Sequence, residues 1–203
     1  MKLYRTIRKR ADIEYIVEKS KFIAHIVPVS SKEEADAFIA AIKKEYWDAT
    51  HNVPALILGE KSQTKWASDD GEPQGTSGVP MLKFLEGEGL TNVLIVVTRY
   101  FGGIKLGTGG LSRAYVQAAK MALEEAGVCD VKEVVCFTYR CDYTYLTKIQ
   151  NMGLYIDQIA YDEMVSIKIL TEPEELDHVL ATLSNITSGR GTVVESENVI
   201  KKY

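Results

Sequence analysis

The apolar positions of the chain fall into short runs with two distinct periods. Ile13 to Val17 and Phe22 to Val29 are compact runs rich in β-branched and aromatic residues, and they predict a pair of strands. Ser31 then opens a helix. Ser31-x-x-Glu34 is a capping-box pattern, and Ala35, Phe38, Ile39 and Ile42 keep helical spacing. Val53 to Leu58 is a further strand. The turn Gly59-Glu60-Lys61-Ser62 leads to Thr64–Ala67 as its hairpin partner. Thr76 or Ser77 is placed to cap a helix from about Val79 to Glu86, ending near Gly87 or Gly89.

The organising stretch runs from Ser68 to Tyr115. Val93 to Val97 is apolar at every position, which predicts a strand covered on both faces. Thr108 or the glycines after it start the most regular helix in the chain. Leu111, Ala114, Tyr115, Ala118, Ala122, Leu123 and Ala126 form its buried stripe, and Gly127 is a fitting stop.

The rest reads strand, helix, strand, strand, helix, strand. The strands are Val131–Arg140, Leu154–Tyr161, Met164–Leu170 and Thr192–Ile200. Asp142 caps a helix over Tyr143–Met152. Thr171-x-x-Glu174, with Pro173 in the first turn, opens the last helix, whose inward positions are Leu176, Val179, Leu180 and Leu183. This order is the ferredoxin-like βαββαβ motif. The fold class is therefore α+β with two domains, 1–130 and 131–203, divided near Val128–Lys132.

Composition narrows the function classes. Of 203 residues, 46% are hydrophobic, enough for a real core. No run approaches the roughly 18 apolar residues of a membrane span, and the basic start MKLYRTIRKRADIEY lacks the apolar segment of a signal peptide. Cys129, Cys136 and Cys141 lack C-x-x-C spacing and read as reduced structural thiols of a cytoplasmic protein. The net charge of −4 opposes a generally basic nucleic-acid binder. Residues 1–129 hold 17 Lys and Arg against 16 Asp and Glu, whereas 130–203 hold 7 against 12. Any polyanion contact is expected in the N-terminal part.

Two polar loops flank the buried run. The acidic one carries Asp69, Asp70 and Glu72, oxygen donors of the kind hard cations take, but without EF-hand spacing. A recognition loop ordered by Asp side chains bonding to backbone N–H groups is the preferred reading, with no metal and no cofactor. The second loop runs from Thr98 through Gly110. Its glycines bare the backbone at the start of a long helix, where Thr108, Gly109 and Gly110 offer N–H groups to an anion, with Lys105 and Arg113 adding charge. It is neither a Walker loop nor G-x-G-x-x-G, since Ser112 stands where the last glycine belongs. The competing reading is tight packing with nothing bound.

Arg99, Tyr100 and Phe101 leave the buried strand together. Such a set stacks on bases, grips phosphate or anchors a protein partner. The alternative holds Arg99 to Asp69, Asp70 or Glu72. His51-Asn52, near Asp48, carries the elements of a general-base set, but no serine nucleophile elbow is present and no cysteine lies in this region. A loop-ordering hydrogen bond is the preferred role for His51.

DDGEP (69–73), GTSG (75–78), VVTRYFGG-x-KLGTGGL-x-RAY (96–115), SKFIA (20–24) and DATHN (48–52) together resemble the signature of the YigZ/IMPACT family, departing at Val53-Pro54. The resemblance implies an N-terminal domain similar to ribosomal-protein and elongation-factor-G domain IV modules, and a C-terminal domain like elongation factor G domain V. It also implies a cytoplasmic, translation-linked regulatory role, in eukaryotic relatives through an activator of a starvation-responsive kinase. The expected ligand is RNA, the ribosome or a ribosome-associated protein. The rival expectations are an enzyme acting on a phosphorylated small molecule and a purely protein-binding regulator.

Overall fold

The computed structural model describes residues 2–202. Elements follow in the order β1 (Lys2–Ile7), β2 (Ala11–Val17), β3 (Ser20–Pro28), α1 (Lys32–Glu45), β4 (His51–Leu58), β5 (Thr64–Ala67), α2 (Gly78–Gly87), β6 (Val93–Tyr100) and α3 (Gly107–Ala126). Then come β7 (Val128–Cys141), α4 (Leu146–Gln150), β8 (Tyr155–Tyr161), β9 (Val165–Thr171), α5 (Leu176–Thr187) and β10 (Thr192–Lys202). The chain divides into two compact α+β units, one of Tyr4–Asp130 and one from Val131 onward that also takes Lys2 and Leu3.

The first unit is a sandwich of three layers. Its sheet has the order β2-β3-β6-β4-β5 with every neighbouring pair antiparallel. Strand periodicity sends Val93, Ile95 and Val97 of β6 to one face, with Val53, Ala55 and Ile57 of β4, under α2 and α3. Leu94 and Val96 go to the other face with Leu56 and Leu58, against Ala35 and Ile42 of α1. An all-apolar strand is what two covered faces require. All seven residues read as the α3 stripe are buried, and Ala119 joins them. Pro54 is tolerated in β4 because β5 pairs only from Ala55 onward.

The second unit pairs its strands as β10-β7-β9-β8, all antiparallel, and the intervening helices complete βαββαβ. One sheet face packs Phe137, Tyr139, Ile167 and Ile169 against Ile149 of α4 and Val179 and Leu183 of α5. The three cysteines are free and buried.

Three local readings are corrected. Thr171 does not cap the last helix. It ends β9, Glu172 takes the cap position without a side-chain bond, and Pro173–Glu175 form a 3-10 turn before α5. The helix after Asp142 is shorter than read, a 3-10 turn at Tyr143–Tyr145 followed by α4, with Asp142 accepting from Thr144 N–H. At α1, Ser31 accepts from Glu34 N–H, but Glu34 reaches back to Ser30 N and Oγ. The strand β1 has no counterpart in the sequence reading.

One glycine is dictated by close approach. A Cβ on Gly102 would lie 2.0 Å from the Lys19 carbonyl carbon and 2.4 Å from Ser20 N, in the turn joining β2 and β3. That obstacle is backbone and cannot rotate away. Gly102→Ala is expected to lose about 1–3 kcal/mol in urea unfolding, the usual range for overpacking. Gly87→Ala is the control: nothing lies within 4 Å, and it is expected to be neutral or stabilised by up to about 1 kcal/mol.

Candidate functional site

The antiparallel register brings the start of β4 beside the end of β6, with His51 opposite Arg99, and β3 places Phe22 opposite Arg99 on the other side. Position 99 has the parity of Val93, Ile95 and Val97, so its side chain points to the face that α3 covers. Arg99 is accordingly only 5% exposed. A guanidinium in that position needs a counter-ion, and Glu72 supplies it. Arg99 Nη1 donates to Glu72 Oε1 at 2.7 Å, and Tyr115 Oη of α3 donates to the same oxygen at 2.7 Å. The Glu72 side chain is 3% exposed. Arg99 also lies over the rings of Phe22 and Phe101, 5.5 and 5.4 Å from their centroids. Burial, and then the neighbouring Glu72 charge, push the Tyr115 hydroxyl far above its ordinary pKa, so it remains a donor.

The three acidic residues have separate tasks. Asp69 Oδ1 accepts from Ser77 N, Ser77 Oγ and Gly78 N, and Oδ2 accepts from Gly75 N. It therefore caps α2 from nine residues upstream, in place of the Thr76 or Ser77 cap read from sequence. Burial disfavours its charge, but these hydrogen bonds outweigh that and hold its pKa below the ordinary value. Asp70, in the left-handed region at φ 46°, accepts from Asn52 N at 2.7 Å and pairs with Lys43 at 2.6 Å. Glu72 goes into the core. The three carboxylates are thus engaged with different partners rather than with one another. No group of three or more His, Cys, Asp or Glu suited to a metal occurs among the described residues.

His51 and Asn52 order the same loop. His51 Nδ1 lies 2.8 Å from the Asp70 carbonyl, which can only accept, so Nδ1 carries the proton. Nε2 then faces Glu72 Oε2 at 3.6 Å. Asn52 donates to the Tyr46 carbonyl and accepts from Thr98 Oγ1. Tyr100 points to the opposite face, bonded to Asp48 at 2.8 Å. That bond, with burial second, pushes its hydroxyl pKa up to about 12.

These elements enclose a cleft of about 460 Å³. Buried Glu72 and Arg99 with half-buried His51 make up its floor, Pro73, Phe101 and Leu111 are its apolar lining, and the exposed Lys105, Gly107 and Thr108 mark its entrance at the first turn of α3. α3 has no side-chain cap at this end, and Leu106 occupies the cap position. Phe101 is 46% exposed. Gly110 and Arg113 instead line a neighbouring groove of about 1030 Å³ between β2 and α3, and Lys105 borders both. Of the residues read from sequence, His51, Glu72, Arg99, Phe101, Lys105 and Thr108 thus meet at one cleft. Asp69, Asp70 and Asn52 brace it, Tyr100 turns away, and Arg113 lies next door. Tyr115 was read only as core. A lone tyrosine in a stripe of alanine and leucine was the available signal, since a buried hydroxyl needs a partner.

The fold and cleft define a class: a two-unit α+β protein with a small cleft in its three-layered unit and a ferredoxin-like second unit. Residues 18–123 match the model of the Impact N-terminal domain. The chain is 40% identical over 198 residues to IMPACT family member YvyE of Bacillus subtilis (strain 168), covering 96% of this chain and 91% of that one. It is 40% identical over 180 residues to IMPACT family member YigZ of Escherichia coli (strain K12), covering 85% and 88%. A crystal structure of a hypothetical protein superposes with TM-score 0.62 at 30% identity, covering 97% of this chain and 98% of that one. The chain belongs to the IMPACT family.

Two outcomes follow from this geometry. Arg99→Ala leaves Glu72 charged and buried, and is expected to cost about 3–5 kcal/mol in thermal or urea unfolding. A loss below about 1 kcal/mol would mean that the pair is exposed in solution. Asp69→Ala removes a cap and is expected to cost about 0.5–2 kcal/mol at pH 7. Because the folded pKa of Asp69 is depressed, its contribution is full above about pH 3.9, the unfolded value, and is lost as pH falls through the folded one. The gap between wild type and Asp69→Ala in a pH series of melts should therefore close in acid.

Proposed function

We propose that this protein is a translation-linked regulatory binding protein whose N-terminal unit contacts RNA, through the cleft at the start of α3. The single observation that carries this reading is the composition of that cleft: an uncapped turn of a twenty-residue helix, a lysine at its entrance and an exposed phenylalanine in its wall. Bare N–H groups and a helix dipole favour a phosphate, and an aromatic face favours a base. The helix end contributes only about 0.3–1 kcal/mol per charge, so Lys105 has to share the task, with Arg113 helping from the adjoining groove. Family membership supports the link to translation, since the YigZ/IMPACT resemblance implies it.

The division of labour belongs to the same proposal. Residues 1–130 carry the RNA contact. Residues 131–203, with 7 Lys and Arg against 12 Asp and Glu among positions 130–203, repel a polyanion and add no phosphate affinity. Arg99 is not a phosphate ligand here. Its guanidinium is taken by Glu72, so it shapes the floor while Lys105 meets the ligand.

The test is a titration of the whole protein with a labelled single-stranded RNA of mixed sequence, from 50 to 300 mM KCl. Binding is expected to weaken steeply with salt, and Lys105→Ala to reduce the slope of log K against log salt by roughly one phosphate contact, with unchanged melting. Salt-independent binding, or no binding of RNA beside capture of a ribosome-associated protein, would overturn it in favour of a protein-binding regulator. Turnover of a phosphorylated small molecule would overturn it in favour of an enzyme.

A further inference from the structure

With His51 neutral, the floor of the cleft carries two acceptors with no donor between them. Glu72 Oε1 is saturated by Arg99 and Tyr115, but no hydrogen bond reaches Oε2 among the described residues. His51 spends its proton on the Asp70 carbonyl, so neutral His51 offers only the Nε2 lone pair. The two atoms are 3.6 Å apart, and both residues line the cleft. Glu72 is thus a polar side chain 3% exposed, half unpartnered, and turned toward ligand space. Arg99 Nε, also buried, has no hydrogen-bond partner among the described residues either.

What fits two converging acceptors is a group with two neighbouring donors. An ammonium has them, but Lys105 and the positive end of α3 at the entrance disfavour a cation. Vicinal hydroxyls have them without charge. The entrance asks for an anion, and the walls of Pro73, Phe101 and Leu111 ask for a flat or apolar ring. An anion, a cis-diol and a ring coexist in a ribonucleotide whose 2′- and 3′-hydroxyls are both free. In an RNA strand only the 3′-terminal nucleotide meets that condition.

We infer that the cleft seats the 3′-terminal nucleotide of RNA. Its ribose diol donates to Glu72 Oε2 and His51 Nε2, its base lies against Phe101, and its 5′-phosphate meets Lys105 and the N–H groups at Gly107 and Thr108. The inference rests on the RNA reading above and deepens it from phosphate attraction to recognition of an end. The volume of about 460 Å³ suits one nucleotide and excludes a duplex.

The experiment uses the whole protein and three single-stranded oligonucleotides of one sequence: RNA with a free 3′ diol, the same RNA ending in a 2′,3′-dideoxynucleotide, and DNA. The free-diol RNA is expected to bind at least about tenfold more tightly than the other two, since hydrogen bonds to a charged acceptor are lost in both. His51→Asn keeps a donor at the δ position for the Asp70 carbonyl and deletes Nε2. It is expected to melt like wild type and to shrink that preference severalfold, with its salt slope unchanged. Equal binding of all three strands with a steep salt slope would overturn the diol site and leave the RNA reading standing. Absence of binding by all three would remove both. If His51→Asn does not fold, the three-strand comparison on wild type decides alone.

Discussion

A buried ion pair is the constraint from which the rest of the N-terminal unit follows. Arg99 enters the core because β6 alternates and α3 covers the face it points to. Glu72 has to meet it, from a loop between β5 and α2 that would otherwise have no reason to dive inward. That loop is held from both ends: Asp69 ties it to the start of α2, while Asp70 ties it to β4 and, through Lys43, to α1. An ion pair in a core rarely outperforms apolar residues of the same volume. Its retention is better understood as geometry. It sets the floor of a cleft and leaves one carboxylate oxygen facing outward.

Much of this was legible before any coordinates. The unbroken apolar run Val93–Val97 announced a strand covered on both faces, and the α3 stripe was read but for Ala119, because both signals are periodic and local. Burial of Arg99 on Glu72 was held only as the alternative to a ligand-facing arginine, although position 99 continues the parity of Val93, Ile95 and Val97. What resisted reading was nonlocal. The cap of α2 comes from Asp69, out of reach of the usual three-residue pattern, and the Thr171 box failed because Thr171 was claimed by the end of a strand. Strand β1 carries a basic, weakly alternating sequence, and its bridge from Arg5 to Leu90 joins positions far apart in the chain.

The site shows the same division. Residue types pointed to loops that line one cleft, and the sheet register brought His51 and Arg99 together, which spacing alone could not show. Spacing suggested one group of cations about the glycine loop. The helix separates them: Thr108 and Leu111 face one cleft, Gly110 and Arg113 the groove beside it, with Lys105 on the border. Three or four residues apart is one face of a helix, but one or two residues apart is not.

The glycines of that helix bear on whether tight packing alone explains them. Gly102 answers to backbone contact and would be a glycine whatever the protein bound. Gly109 differs. A Cβ there would meet only Arg113 Nη1, at 3.4 Å, the far end of a flexible side chain, and its backbone needs no positive φ. Glycine inside a helix costs roughly 0.5–1 kcal/mol relative to alanine. Neither space nor conformation offsets that cost at Gly109. What the missing side chain does achieve is exposure of the backbone in the first turn of α3, next in the chain to Thr108, which lines the cleft. Packing thus accounts for the glycine at position 102, whereas at 109 neither space nor conformation requires one.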